Sequence, residues 1–170
     1  AELAELQFSD SWDQEAYVED VKLLIESLDL NDPDFTELYA GYVNTLGTFP
    51  ELTTIEDGGY FEVATVEFEA GDEIPLHNHP DMTGVIFCVA GSVMIEQFDL
   101  VSDEGDRVLL QLRTSEVCQA GDFSTLTAER GNIHALYADE YTALFDIFTP
   151  PYDDERLQRY RWYERAATPL

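Results

Sequence analysis

From Tyr60 to Phe148 the chain is a run of short segments rich in Val, Ile, Thr and Phe, broken at close intervals by Gly and Asp. Tyr60–Glu69, Leu76–His79, Gly84–Ala90 and Val93–Leu100 read as strands, with Gly71 ending the first. Asp103-Glu104-Gly105-Asp106 is a turn signal leading into Arg107–Arg113. Ser115–Gln119, Phe123–Leu126, His134–Ala138 and Tyr141–Phe148 complete the series. Strands this short and this closely spaced pair antiparallel, so the pattern predicts a mainly β sandwich or small barrel.

Ahead of the strands the period changes. Ser11-Trp12-Asp13-Gln14 has the form of a capping box. Tyr17, Val18, Val21, Leu24, Ile25 and Leu28 then recur at helical spacing. Asp32-Pro33 starts a second helix, with Phe35, Leu38, Tyr39, Tyr42, Val43 and Leu46 on one face and Gly47 as its stop. Each apolar stripe needs a surface to cover. The expected organisation is one domain over residues 1–170: helices within 1–50, a barrel over 58–150 and a tail over 151–170. The tail holds Arg156, Arg159, Arg161 and Arg165, which are expected to pair with the acidic body.

The charge excludes several function classes. There are 36 acidic residues against 8 basic ones, a formal net charge of −28. Such a surface repels phosphate backbones and anionic bilayers, so neither nucleic acid nor membrane is an expected partner. The same excess keeps the surface solvated and favours a monomer. No apolar stretch reaches membrane-spanning length and the first residues lack a signal pattern, so a cytoplasmic protein is expected. Two cysteines are too few for a disulfide framework, and Cys88, inside an apolar run, reads as a core residue.

The three histidines of the chain fall in two places: His77 and His79 in Gly71–Gly91, and His134 in Arg130–His134. On an extended segment, residues two apart face the same way. A third imidazole from a distant strand could close one face of a metal ion, so His77, His79 and His134 are the candidate ligands. Three histidines suit an open catalytic zinc site as well as iron, and affinity order alone favours zinc.

At this point the residues resemble a known superfamily. Gly71-x5-His77-x-His79, ending at Gly91, looks like the first motif of the cupins, and Gly121 followed by Gly131-x2-His134 looks like the second. The usual fourth ligand, a glutamate, is replaced by Gly84. The second motif lacks its usual proline and has two extra residues between its glycines. A cupin with three histidines and no glutamate is similar to the thiol dioxygenases. The segment IPLHNHPDMT (Ile74–Thr83) resembles the branch of cysteamine dioxygenase and the plant cysteine oxidases, with Asp81 where glycine is usual. RGNIH and FDIFTPPY (Phe145–Tyr152) resemble its second histidine segment and its strand with a double proline.

The resemblance implies a cupin barrel and a non-haem Fe(II) thiol dioxygenase, which uses O2 to convert an aminothiol such as cysteamine, or an N-terminal cysteine, to its sulfinate. Three neutral imidazoles would leave Fe(II) its full charge, which favours an anionic sulfur ligand. Asp146 shares a strand face with Leu144 and Phe148, an unusual place for a carboxylate without a partner. By resemblance it would meet the substrate's amine, and Tyr152 would donate a hydrogen bond in the pocket; Tyr137 has similar reach. No Cys–Tyr crosslink is expected, because neither cysteine matches that context. No arginine precedes Arg107, so free cysteine is a poorer substrate than a thiol without a nearby carboxylate. Two alternatives stay open: a dioxygenase of another thiol, such as a mercapto acid, whose pocket an arginine after residue 107 should reach, and a metal-bound cupin without redox turnover.

Overall fold

The structure is a computed structural model describing residues 12–29, 32, 33, 51–57 and 59–166, with backbone alone for 51–57. Helix α1 spans Gln14–Glu26. Its cap is Asp13, whose carboxylate accepts from the Ala16 amide at 3.1 Å, whereas Ser11 lies outside the described residues. Tyr17, Val18, Val21 and Ile25 are buried, but Leu24 and Leu28 are exposed. A helix lying on a flat sheet covers it with one narrow stripe, and Leu24 and Leu28 fall outside that stripe. The expected second helix lies outside the described residues apart from its first positions.

Among the described residues nine antiparallel strands follow: β1 Glu51–Asp57, β2 Glu62–Phe68, β3 Glu73–Asn78, β4 Thr83–Ala90, β5 Ser92–Asp103, β6 Val108–Gln119, β7 Phe123–Leu126, β8 Ile133–Tyr137 and β9 Thr142–Thr149. They form two sheets, β1-β2-β9-β4-β7 and β3-β8-β5-β6. The sheets face one another, with Val66, Phe68, Ile86 and Leu144 of the first packed on Val93, Ile95 and Leu136 of the second. Cys88 and Cys118 are buried in the same core.

Strand β4 shows why the sequence reads as it does. Ile86 and Cys88 point into the core between the sheets, while Val85 and Phe87 point outward under Tyr17, Val18, Val21 and Ile25 of α1. A strand covered on both faces has no polar side, hence the unbroken run Val85–Ala90. Each buried aliphatic or aromatic side chain of this kind contributes roughly 1.5–3 kcal/mol.

Two strand readings change. The sheet begins with β1, not at residue 58; ELTTIED carries too many polar residues to announce a strand. Arg107–Arg113 and Ser115–Gln119 are one strand, β6. Gln97 pairs with Thr114 and Phe98 with Leu112, so Arg113 is an extra residue in the ladder. That bulge resets the side-chain alternation, which made one strand look like two. Among the described residues no helix is long and apolar enough to cross a membrane.

Candidate metal centre

The fold brings the three histidines together through strand pairing. His77 of β3 lies directly opposite His134 of β8, and His79 follows one residue beyond the end of β3. All three rings are buried. The Nε2 atoms of His79 and His134 are 2.9 Å apart, and those of His134 and His77 are 3.1 Å apart. All three ligand atoms lie within 4.8 Å of one another.

Each ring is oriented differently. His77 Nδ1 donates to the Pro75 carbonyl at 2.7 Å, which leaves Nε2 as the lone-pair nitrogen. His79 Nδ1 lies 2.6 Å from the Tyr152 hydroxyl, and the Phe148 ring stacks on the His79 ring at 4.7 Å and 15°. His134 Nδ1 meets no hydrogen-bonding group among the described residues; strand pairing to His77 and Gln97 holds this ring instead.

Protonation cannot relieve the cluster. Burial pushes His77 down to about 4, against a smaller upward pull from the Pro75 carbonyl. Burial, followed by the neighbouring imidazoles, holds His79 and His134 well below the ordinary value. At neutral pH three uncharged rings therefore aim lone pairs at one point, where a single shared proton could satisfy only one pair. A metal cation satisfies all three, so the residues fit a metal held by three nitrogens.

Around the cluster is a cavity of about 460 Å³ that also reaches Glu62, Asp146, Tyr152, Leu157, Tyr160 and Trp162. Asp146 lies on β9 between Ala64 and Ile86 of the flanking strands. Its carboxylate is buried, Oδ1 has no partner among the described residues, and burial pushes it up to about 8. The Tyr152 hydroxyl is raised by burial, with Tyr160, Glu62 and Asp146 adding to the shift. Tyr137 is 42% exposed and lies outside the cavity. Its chain neighbours Leu136, in β8, and Ala138, just past the strand's end, are buried, and strand alternation turns it outward.

Gly84 explains the missing fourth ligand. A Cβ there would lie 2.9 Å from Phe148 Cε1 and 3.1 Å from Leu126 Cγ. A side chain at this position would displace the ring that backs His79. Asp81 has φ 55°, a left-handed conformation that Asp tolerates, and its carboxylate pairs with Arg159 at 2.6 Å.

The PCO_ADO family model matches residues 46–169. The chain belongs to the PCO_ADO family. It is 36% identical over 87 residues to plant cysteine oxidase 2 of Arabidopsis thaliana, covering 48% of this chain and 32% of that protein. It is 31% identical over 120 residues to 2-aminoethanethiol dioxygenase of Homo sapiens, covering 56% and 44%. The chain thus spans less than half the length of these curated relatives. A Klebsiella pneumoniae protein with a double-stranded β-helix domain aligns with TM-score 0.53 at 16% identity, over 74% of this chain and 94% of that one. TT1209 from Thermus thermophilus also aligns with TM-score 0.53, at 9% identity, over 67% and 95%. These fix the fold as the cupin double-stranded β-helix.

In this PCO_ADO chain two groups at the site have no recognisable signal in the sequence. Asn132 accepts from the His79 amide at 3.1 Å, and its Nδ2 donates to the His79 and Thr127 carbonyls at 2.8 and 3.0 Å. It ties the His79 turn to the segment carrying His134, and its only hint was a place inside RGNIH. Tyr160 and Trp162 lie 5.6 and 5.2 Å, ring to ring, from His77. Their presence depends on how the tail docks, which periodicity does not reveal.

Proposed function

We propose that the chain is a non-haem Fe(II) thiol dioxygenase that joins O2 to an aminothiol, R–SH + O2 → R–SO2H, with cysteamine or the N-terminal cysteine of a peptide as substrate. The observation that carries this is the convergence of His77, His79 and His134 Nε2 beside a buried Asp146 whose Oδ1 has no partner among the described residues, in a PCO_ADO chain. Iron held by the three imidazoles would supply the redox chemistry that brings sulfur and dioxygen together.

The protein's own groups do the rest. Asp146 offers its unsatisfied Oδ1 to the substrate ammonium, and that cation stabilises the ionised form which burial alone disfavours. With His79 Nε2 turned to the metal, Nδ1 carries the proton and donates to the Tyr152 oxygen. The Tyr152 O–H is then free to donate into the cavity. Phe148 fixes the His79 ring and, with Tyr160 and Trp162, narrows water access. Among the described residues lining the cavity there is no lysine or arginine. A mercapto acid or free cysteine would bring a carboxylate to Glu62 and Asp146 with no cation to receive it, so an aminothiol is favoured.

Oxygen uptake by the Fe(II)-loaded protein tests this. Cysteamine should be consumed at least tenfold faster than 3-mercaptopropionate, and Asp146→Asn should abolish most of that preference. Equal rates with the mercapto acid, or a preference unchanged in Asp146→Asn, would refute the amine-binding role.

A further inference from the structure

We propose that the C-terminal tail is a specificity wall: Leu157, in its short helix Asp154–Arg159, together with Tyr160 and Trp162 just beyond, recognises the side chain that follows an N-terminal cysteine, favouring an aromatic or long aliphatic residue and rejecting an acidic one. This rests on the aminothiol reading above and deepens it to a peptide substrate class.

The tail is a built element. Strand β3 is an edge of its sheet, and the tail covers that edge. Trp162 forms an antiparallel bridge with His77, and the Tyr163 amide donates to the Leu76 carbonyl at 2.8 Å. Asn78 clamps the same segment, accepting from the Arg161 amide at 2.6 Å and donating to the Arg159 carbonyl at 3.3 Å. Ion pairs Arg159–Asp81, Arg161–Asp103 and Arg165–Glu96 fasten it at three further points. Side chains carried on such an element are preorganised, so a ligand need not order them.

Position and size set what the wall can read. Trp162 is 56% exposed and Leu157 57% exposed, yet both line the cavity that holds the histidines and Asp146. They therefore form its rim. A large exposed aromatic on a concave rim is the type of anchor found at recognition surfaces. Cysteamine is a two-carbon molecule. A cavity of about 460 Å³ falls in the range of roughly 300–1,000 Å³ occupied by much larger ligands. With the thiol at the histidines and the amine at Asp146, the rest of a peptide must leave past the rim. There an apolar side chain buries surface against Leu157, Tyr160 and Trp162. A carboxylate side chain would be desolvated beside Glu62 and Asp146 with no cation among the described lining residues.

Two readouts test the wall. In anaerobic Fe(II) protein carrying Trp12→Phe, which leaves Trp162 as the one tryptophan, a Cys-Phe peptide should shift the selectively excited tryptophan emission to the blue while cysteamine should not. In aerobic turnover, kcat/KM for Cys-Phe peptides should exceed that for Cys-Gly peptides by about tenfold, and for Cys-Asp peptides by more. Trp162→Ala and Leu157→Ala should each bring the Phe-to-Gly ratio toward one, with bound iron measured for each variant. A wild-type ratio near one, or a ratio unchanged in both variants, overturns the wall. An emission shift without oxidation of any aminothiol would sustain the wall and refute the dioxygenase reading instead.

Discussion

Asp146 is ionised in the unfolded chain at neutral pH, but in the fold burial keeps it protonated up to about 8. The folded chain therefore holds a proton that the unfolded chain has lost. Stability from this group is full below the ordinary carboxylate range and falls as pH rises through about 8. Asp146→Asn removes that slope. In metal-free protein its advantage in Tm over the wild type should grow between about pH 5.5 and pH 8.5, and a constant difference would show that the carboxyl is not buried neutral. Tyr152 tests a neighbouring claim, since its oxygen orients His79 through Nδ1. Groups in this position typically contribute 10–100-fold to metal affinity, so Tyr152→Phe should weaken Fe(II) binding by about that factor while the far-ultraviolet circular dichroism stays unchanged. The three histidines and Asp146 were legible because each residue type is costly or rare where it stands. The phenol's contact with His79 was not, because it depends on how the chain turns after Thr149.

At the scale of elements, β4 and β9 carry the site on their packing. Gly84 lies under Phe148, and Phe148 lies against His79. Gly84→Ala inserts a methyl 2.9 Å from that ring, which should destabilise the protein by about 1–3 kcal/mol and loosen metal binding with it. Chemical denaturation and a metal titration on the same variant would check both, and a variant as stable as wild type would contradict the packing account. Strands with apolar or alternating patterns, such as β4 and β9, declared themselves in the sequence. Polar β1 and bulged β6 did not, because pairing with neighbours, rather than their own composition, makes them strands. The docking of the tail on β3 belongs to the same class, and it brings Tyr160 and Trp162 to the site. Arg159, Arg161 and Arg165 pair with Asp81, Asp103 and Glu96 of the body, as their place in an acidic chain implied, whereas Arg156 pairs with Asp153 of the tail itself.

Over the whole molecule the formal charge of −28 outweighs the ion pairs. Exposed pairs contribute about 0–1 kcal/mol each, and salt weakens them only modestly in total. Self-repulsion among 36 acidic residues acts over the full surface. Raising KCl from about 0.1 M to 1 M shortens the screening length from about 10 Å to about 3 Å, so Tm should rise; a fall would mean that the ion pairs dominate. None of this touches the buried centre, on which the functional account depends. That account is tested most directly by loading the protein anaerobically with Fe(II), admitting isotopically labelled O2 with an aminothiol, and weighing the product. One iron per chain, a sulfinate carrying two labelled oxygen atoms, and loss of both in His134→Ala are the predicted result. Stoichiometric zinc that iron does not displace, or a thiol recovered without labelled oxygen, would contradict it.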